Sequence, residues 1–133
     1  MISSKFSQSV SLRLTAIAIG TIFTGFGINA IVRPVHALSF FELGPLASTA
    51  NQSFIDAVMV VYGARDIFMG LAIYAAAYFR NTKTLGLILV AASGVAFLDG
   101  YVCMAYVGSG EMNHWGYAPV LTVLGTLLLG VLD

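Results

Sequence analysis

Four long apolar runs, separated by short polar segments, most constrain how this chain can fold. They cover residues 14–32, 54–79, 85–107 and 118–132. A helix that crosses the hydrocarbon core of a bilayer needs roughly 20 predominantly apolar residues, and the first three runs reach that length. Only 9% of the residues are charged, whereas a typical soluble domain has about 25%. The sequence therefore predicts an all-α integral membrane protein.

We expect a single domain over residues 1–133, folded as a transmembrane four-helix bundle. The predicted helices cover residues 12–32, 53–79, 84–107 and 117–132, of which the last is the shortest. The first run could also be a signal peptide, but its apolar stretch is longer than the usual ~7–15 residues. We therefore expect this run to be a retained helix.

The distribution of lysine and arginine predicts the orientation of the bundle, because basic residues favour the cytoplasmic side of a membrane. Four of them would lie on one side: Lys5, Arg13, Arg80 and Lys83. Only Arg33 would lie on the other side. We therefore expect both termini in the cytoplasm, and the loops at residues 33–53 and 108–117 outside the cell or in a lumen. In a eukaryote, we expect the membrane of the endoplasmic reticulum.

The chain lacks the sequence features that bind nucleic acids, metals or cofactors. Lys+Arg and Asp+Glu both total 6, so we expect no basic surface for nucleic acid. The single Cys103 excludes an internal disulfide, and two widely spaced histidines with one cysteine make no convincing metal site. No glycine-rich phosphate loop or dinucleotide motif occurs. We expect no cofactor and no metal, and as partners a lipophilic small-molecule substrate and membrane lipid.

Small residues recur at four-residue spacing on two of the predicted helices. These ridges are Ala92, Ala96 and Gly100 on the third helix, and Thr21 and Gly25 on the first. Such ridges let helix backbones approach closely. We expect them to pack within the bundle, with a homodimer through one ridge as the alternative.

Arg65, Asp66 and Asp99 lie deep inside two of the apolar runs. A charge at the centre of a lipid-spanning helix costs roughly 2.5–3.5 kcal/mol on insertion scales, so it survives where it faces the protein interior and has a partner. The three residues fall at nearly the same depth on helices that a short loop makes antiparallel neighbours. We predict that Arg65 pairs with Asp99 while Asp66 lines a pocket. The alternative is an ion pair that only fixes helix register.

Other polar residues extend this cluster into a predicted substrate pocket in the outer half of the bundle. Tyr62 lies one turn from Asp66 on roughly the same helix face. His114 lies in the outer loop beside Trp115, although a histidine there is also typical of a membrane interface. The predicted catalytic residues are Asp66, Asp99 and Arg65, and the predicted substrate-binding residues are Asn29, Tyr62, Tyr101 and His114.

Several short motifs carry a family resemblance over residues 11–132. They are Arg33-Pro34, the segment from Phe40 to Gly44, Gly63-Ala64-Arg65-Asp66, Gly70, Asp99-Gly100 and His114. On these motifs the chain resembles an uncharacterised, DoxX-like family of small four-span membrane proteins found in fungi and bacteria. Some members look like accessory enzymes of fungal polyketide or terpenoid pathways. The resemblance implies a greasy small-molecule substrate and cofactor-free acid–base or cyclisation chemistry.

The Asp–Arg–Asp set favours a cofactor-independent enzyme that opens an epoxide, isomerises or cyclises a lipophilic metabolite. One carboxylate would activate water or an internal hydroxyl, while the other, protonated, would donate to the opening oxygen. We expect Asp99 as the base and Asp66 as the acid, with the reverse assignment open, and Arg65 as the residue that holds both. The alternatives are a cofactor-free oxygenase of the anthrone type, using His114 and the tyrosines, and a non-catalytic membrane accessory protein or small carrier.

Overall fold

The protein is helical throughout the part that the structure, a computed structural model, describes. Residues 5–47 and 51–133 are described, and no strand occurs among them. The helices are α1 Val10–Val32, α2 Pro34–Leu38, α3 Gly44–Ala47, α4 Gln52–Tyr78, α5 Thr82–Tyr106, α6 Met112–Trp115 and α7 Ala118–Leu129. The all-α prediction is confirmed.

Helices α1, α4 and α5 are each long and apolar enough to cross a membrane. At most 39% of the apolar window of any of these helices is buried inside the protein. Large side chains such as Phe68 and Leu71 on α4 instead point outwards, 70% and 55% exposed. A soluble monomer rarely exposes apolar patches of this extent. The three helices therefore indicate a membrane-embedded protein.

The starts of α4 and α5 follow from the local sequence. The side-chain oxygen of Asn51 accepts a hydrogen bond from the Ser53 N–H at 2.9 Å, and that of Asn81 accepts one from the Thr84 N–H at 3.1 Å. Such caps satisfy N–H groups that have no partner within the helix. The predicted bounds of the first three helices agree with the observed ones to within two residues.

The long helices form two close pairs, because α1 packs mainly on α4 and α5 mainly on α7. In the first pair the backbones meet at Gly27 and Gly63, where a Cβ added to either would lie 2.5 Å from the carbonyl oxygen of the other. In the second pair Gly86 and Gly125 meet in the same way, at 2.6 and 2.8 Å. Only glycine allows backbones to approach this closely.

The predicted ridge on the first helix is only partly present. The hydroxyls of Thr21 and Tyr74 on α4 hydrogen-bond at 2.7 Å, although Thr21 is exposed, whereas a Cβ added at Gly25 would have no neighbour within 4 Å. The face of α1 that meets α4 is instead the one that carries Gly20 and Gly27. The ridge on the third helix is buried as expected at Ala92, Ala96 and Gly100.

The fourth predicted helix, residues 117–132, is shorter in the structure. α7 has 12 residues and ends where Gly130 turns to a φ of 93°. At ~1.5 Å per residue it is about 18 Å long, well short of a hydrocarbon core of ~30 Å. The transmembrane four-helix bundle is therefore only partly supported, since three helices are long enough to span and a fourth crossing stays a prediction.

The segment between α5 and α7 explains why α7 is short. Trp115 of α6 lies against Gly100, and its indole N–H donates to the carbonyl of Phe97 at 3.0 Å. Gly100 lies about 9 Å before the end of α5, at ~1.5 Å per residue. The chain after α5 thus folds back along α5, and α7 begins below the end of α5.

The start of α1 and the end of α7 lie side by side. The backbone N–H and the hydroxyl of Ser7 donate to the carboxylate of Asp133, at 2.8 and 2.6 Å. This arrangement agrees with an even number of crossings. The orientation of the bundle relative to the cytoplasm stays a prediction.

Candidate functional site

Arg65, at the middle of α4, lies between two buried carboxyl groups. Its Nη1 and Nη2 donate to the two carboxylate oxygens of Asp99 on α5, at 3.0 and 2.8 Å. Its Nε and Nη2 also donate to Oδ1 of Asp66, both at 3.2 Å. The expected pairing of Arg65 with Asp99 is present. We call these three residues the triad.

The two carboxyl groups of the triad have different environments. Arg65 contacts both oxygens of Asp99 but only Oδ1 of Asp66. Asp66 also lines a cavity, whereas Asp99 does not. Because unbalanced charge is costly away from water, one positive group between two carboxyls favours a proton on one of them. Oδ2 of Asp66 is the oxygen that Arg65 leaves for that proton.

Aromatic rings pack against the side of the triad that faces the loops. Tyr62 lies one turn before Asp66. The Arg65 Cζ is 4.4 Å from the centroid of the Tyr62 ring, which is a cation–π contact. Phe41 is buried and packs edge-on against Tyr62, with ring centroids 5.0 Å apart. The same Phe41 ring lies 4.6 Å from the ring of His114. Phe41 therefore fixes Tyr62 and His114 relative to each other.

A cavity of about 360 Å³ lies between α1, α4, α6 and α7. Its polar lining residues are Tyr62, Asp66, Asn113, His114 and Tyr117. The rest of the lining is Ile19, Ile22, Phe23, Phe26, Phe40, Gly116, Val120 and Leu121. A mostly apolar pocket with a few convergent polar groups, within the usual ~300–1,000 Å³, is typical of a small-molecule site.

His114 lines this cavity with both ring nitrogens unpaired. The residue is only 3% exposed, and neither Nδ1 nor Nε2 has a hydrogen-bond partner among residues 5–47 and 51–133. Burial lowers the pKa of His114, with the Asp99 charge and the nearby backbone carbonyl of Phe40 opposing that shift. The neutral ring offers one N–H donor and one nitrogen acceptor. An unpaired buried polar group is costly, which makes His114 a candidate ligand-binding group.

The polar groups of the cavity suit proton transfer better than metal binding. Within the described part of the chain, no three His, Cys, Asp or Glu side chains lie close enough to hold a metal ion. His114 supplies the cavity with an imidazole, and Arg65 already occupies Oδ1 of the neighbouring Asp66. What remains is a neutral nitrogen base and a carboxyl oxygen on one apolar cavity.

Two of the predicted substrate-binding residues do not reach the cavity. Asn29 lies outside the lining, and its Oδ1 is 3.2 Å from Nδ1 of His36. Tyr101 is 60% exposed on α5. Because successive residues point about 100° apart on a helix, a residue two positions after the inward Asp99 turns towards the outside. The structure brings Tyr62 and His114 together with the triad and leaves Asn29 and Tyr101 out.

Sequence reasoning missed the loop and aromatic residues that complete the cavity. The side-chain N–H of Asn113 donates to the carbonyl of Phe40 at 3.0 Å, which ties the segment after α5 to the one after α1. Tyr117 packs edge-on on Phe23, with centroids 6.5 Å apart. The only signal in the sequence is the polar and aromatic composition around His114, which is equally typical of a membrane interface.

Comparison with known proteins gives one match. The sequence profile of a family described as Domain of unknown function (DUF4267) matches residues 20–128. The matched range includes the triad, Tyr62 and His114. No curated protein and no solved structure matches the chain. Because the match covers most of the sequence, the chain belongs to this family, the domain of unknown function DUF4267.

Proposed function

We propose that this protein is a cofactor-independent membrane enzyme that performs acid–base chemistry on a small lipophilic metabolite. One observation carries the proposal. His114, whose ring nitrogens have no hydrogen-bond partner in the described part of the chain, and Asp66, whose Oδ2 accepts no hydrogen bond from Arg65, line the same mostly apolar cavity. A base and an acid held in different environments are the usual requirement for moving protons at neutral pH.

The preferred reaction is the opening of an epoxide by water or by a hydroxyl of the substrate itself. Neutral His114 accepts the proton of the attacking O–H group as the new C–O bond forms. Protonated Asp66 gives its proton to the epoxide oxygen as the old C–O bond breaks. The product is a diol, or a new ring with one hydroxyl. Return of the proton from His114 to Asp66 through the product hydroxyl restores the site.

This assignment changes the role expected of Asp99. Asp99 does not line the cavity, and both of its oxygens accept hydrogen bonds from Arg65. Asp99 and Arg65 therefore act as positioning residues that orient Asp66, and His114 takes the role of the base. Isomerisation of a lipophilic substrate would use the same pair, with one group removing a proton from carbon and the other supplying one.

The test uses purified protein in lipid nanodiscs, incubated with a panel of small lipophilic epoxides in water enriched in ¹⁸O. Asp66→Asn and His114→Gln should each lower turnover by about 10²–10⁴-fold, the usual contribution of a general acid or base. Asp56→Asn is the matched control, because Asp56 is exposed on α4 and accepts a hydrogen bond from Gln52. Attack by water places ¹⁸O in the product, and attack by an internal hydroxyl does not.

Turnover must be normalised to folded protein, since both variants alter buried polar groups. If Asp66→Asn and His114→Gln fold normally and keep full turnover, the acid–base assignment is wrong. If the panel gives no product with the unaltered protein while the cavity binds the same compounds, a non-catalytic accessory protein or carrier becomes the better description.

A cofactor-free oxygenase of the anthrone type is the second candidate, because Tyr62 and Tyr117 line the cavity together with His114. Such an enzyme consumes O₂ and a readily oxidised phenolic substrate. Repeating the assay without O₂ separates the two reactions, since epoxide opening needs no oxidant. Label from ¹⁸O₂ in the product would support the oxygenase, and label from water would support epoxide opening.

The biological setting belongs to the same proposal. The resemblance to DoxX-like proteins supports a role in the secondary metabolism of a fungus or bacterium. In a eukaryote, we place the protein in the endoplasmic reticulum. A lipophilic substrate and membrane lipid are the proposed partners, and a homodimer is open to test by measuring the mass of the protein in nanodiscs.

A further inference from the structure

The cavity has a side wall that consists of exposed residues. Ile22 and Phe26 on α1 line the cavity and are 55% and 41% exposed. Val120 on α7 also lines it and is 55% exposed. A residue that lines a cavity and is also half exposed marks a place where the cavity meets the outside. These three residues therefore define a mouth between α1 and α7.

This mouth exists because of how the helices pair. α1 packs mainly on α4, and α7 mainly on α5, so α1 and α7 face each other across a gap. Ile22 lies at the middle of α1, which is one of the helices long enough to span a membrane. The mouth is thus at the depth of the lipid chains rather than at the aqueous surface.

The side of the cavity towards the loops differs from the mouth, because ring contacts and a hydrogen bond border it and the exposed Asn113 and Gly116 line it there. The ring of Phe40 packs edge-on against Phe26, with centroids 5.3 Å apart. The Phe40 carbonyl accepts the hydrogen bond from Asn113, and the buried Phe41 and His114 rings lie behind it, 4.6 Å apart. Rings and polar groups therefore border the cavity towards the loops, whereas a molecule dissolved in the bilayer meets the apolar mouth between α1 and α7.

The cavity also restricts what can occupy it. A volume of about 360 Å³ corresponds to roughly a dozen water volumes of ~30 Å³ each, so the occupant has about that number of non-hydrogen atoms. The three residues of the mouth are apolar, whereas the lining residues Asp66 and His114 are buried. Arg65 already donates to both carboxyl groups of the triad, so an anionic head group would enter a poorly hydrated site without a positive partner of its own.

We propose that the site takes a small neutral amphiphile, with an apolar chain and one hydroxyl or ether-type oxygen, directly from the bilayer through the mouth between α1 and α7. The oxygen reaches Asp66 and His114, and the chain lies between Ile22 and Val120. This inference rests on the proposed function for the position of the reactive group, but the route and the preference for a neutral head group are tested by binding alone.

The test is photolabelling in lipid nanodiscs with a diazirine derivative of 1-decanol, competed by unlabelled 1-decanol or decanoate at equal mole fraction in the lipid. The alcohol carries the functional group of an opened epoxide and cannot turn over. Mass spectrometry should place the label on residues of the cavity. Decanoate should compete about tenfold or more weakly than 1-decanol, because a buried anion without a positive partner is costly.

Two pairs of variants test the mouth. Val120→Phe should reduce labelling at least about fivefold, because a larger side chain at the rim fills apolar space that the probe needs. Val123→Phe on the same helix is the control, since Val123 is 58% exposed and does not line the cavity. The comparison is repeated on α1 with Ile22→Phe. Its control is Ile28→Phe, because Ile28 is 51% exposed and does not line the cavity.

Equal labelling in each variant and its control would refute entry through the mouth. Equal competition by decanoate and 1-decanol would refute the preference for a neutral head group. Either result could occur with turnover still dependent on Asp66, in which case the proposed function stands. Conversely, a labelling pattern as expected with full turnover in Asp66→Asn would leave the mouth intact and remove the proposed chemistry.

Discussion

The arrangement of the triad predicts that its two ion pairs contribute unequally to stability. Asp99→Leu removes the two hydrogen bonds that Arg65 donates to Asp99 but leaves its contacts with Asp66 in place. Arg65→Leu removes the partner of both carboxyl groups at once. We therefore expect Arg65→Leu to be the more destabilising change.

The magnitudes follow from the number of contacts that each change removes. A hydrogen bond to a charged group is worth about 1.5–3 kcal/mol. Asp99→Leu removes two, but Arg65 keeps Asp66 and is partly exposed to solvent, so we expect a net cost of about one such bond, roughly 2–3 kcal/mol. Removing one side of a buried pair costs about 3–5 kcal/mol, which sets the range for Arg65→Leu. The Arg65 side chain is 34% exposed, and partial solvation keeps the cost within that range.

The double variant Arg65→Leu/Asp99→Leu should cost less than the sum of the single changes by about 2 kcal/mol, within the ~0.5–3 kcal/mol seen for residues in contact. The assay is reversible unfolding in mixed micelles, with Arg33→Leu as the control because Arg33 is exposed. Costs that add to within ~0.5 kcal/mol would show that Arg65 and Asp99 are not coupled. An Asp99→Leu variant as unstable as Arg65→Leu would refute the unequal roles.

Three further predictions concern other parts of the molecule. Gly27→Ala should destabilise the protein by about 1–3 kcal/mol in an unfolding measurement in micelles, because the added Cβ would meet the carbonyl oxygen of Gly63. Gly25→Ala on the same helix is the control and should be neutral or slightly stabilising. Because burial lowers the pKa of His114, the unfolded chain binds the extra proton more readily. Stability should therefore be full above about pH 6.5 and fall below it. His114→Gln should remove that fall and His36→Gln should retain it, so equal pH profiles for the unaltered protein and His114→Gln would contradict the burial argument. Cysteines placed at the exposed Gln8, Ser109 and Leu132 report the side of the membrane through a thiol reagent that cannot cross it. The cysteine at position 109 should react from the side opposite to the other two. Labelling of positions 132 and 109 from the same side would show that α7 does not cross.

The positions of the long helices could be predicted because each depends on local sequence. Apolar length fixes α1, α4 and α5, and Asn51 and Asn81 mark two of their starts. The pairing of Arg65 with Asp99 could also be predicted, since a short connection makes α4 and α5 antiparallel and a charge in lipid needs a partner. Both arguments use information within one or two neighbouring helices.

The cavity could not be predicted, because it depends on contacts between distant segments. The fold-back of α6 is set by Trp115 against Gly100 and by Asn113 bonding to Phe40, and neither contact has a periodic signal. The same fold-back makes α7 shorter than predicted and buries His114, which the sequence alone assigns to an interface as readily as to a pocket. The exposure of Tyr101 could not be predicted either, because the sequence alone does not show which face of α5 is buried.

The triad connects the stability of the protein to the shape of the site. Arg65 is on α4, which pairs with α1, and Asp99 is on α5, which pairs with α7. The ion pair therefore joins the two helix pairs at the level of the cavity. Tyr62 and Asp66 line the cavity from the first pair, and Tyr117 and Val120 line it from the side of the second. A change in the Arg65–Asp99 contact would alter the distance between these walls. A lipophilic ligand that fills the cavity contacts both walls, so it should stabilise the same arrangement of the two helix pairs as the ion pair does. Ligand binding should accordingly raise the unfolding temperature of the unaltered protein by more than that of Asp99→Leu, in which the second wall is no longer held by Arg65.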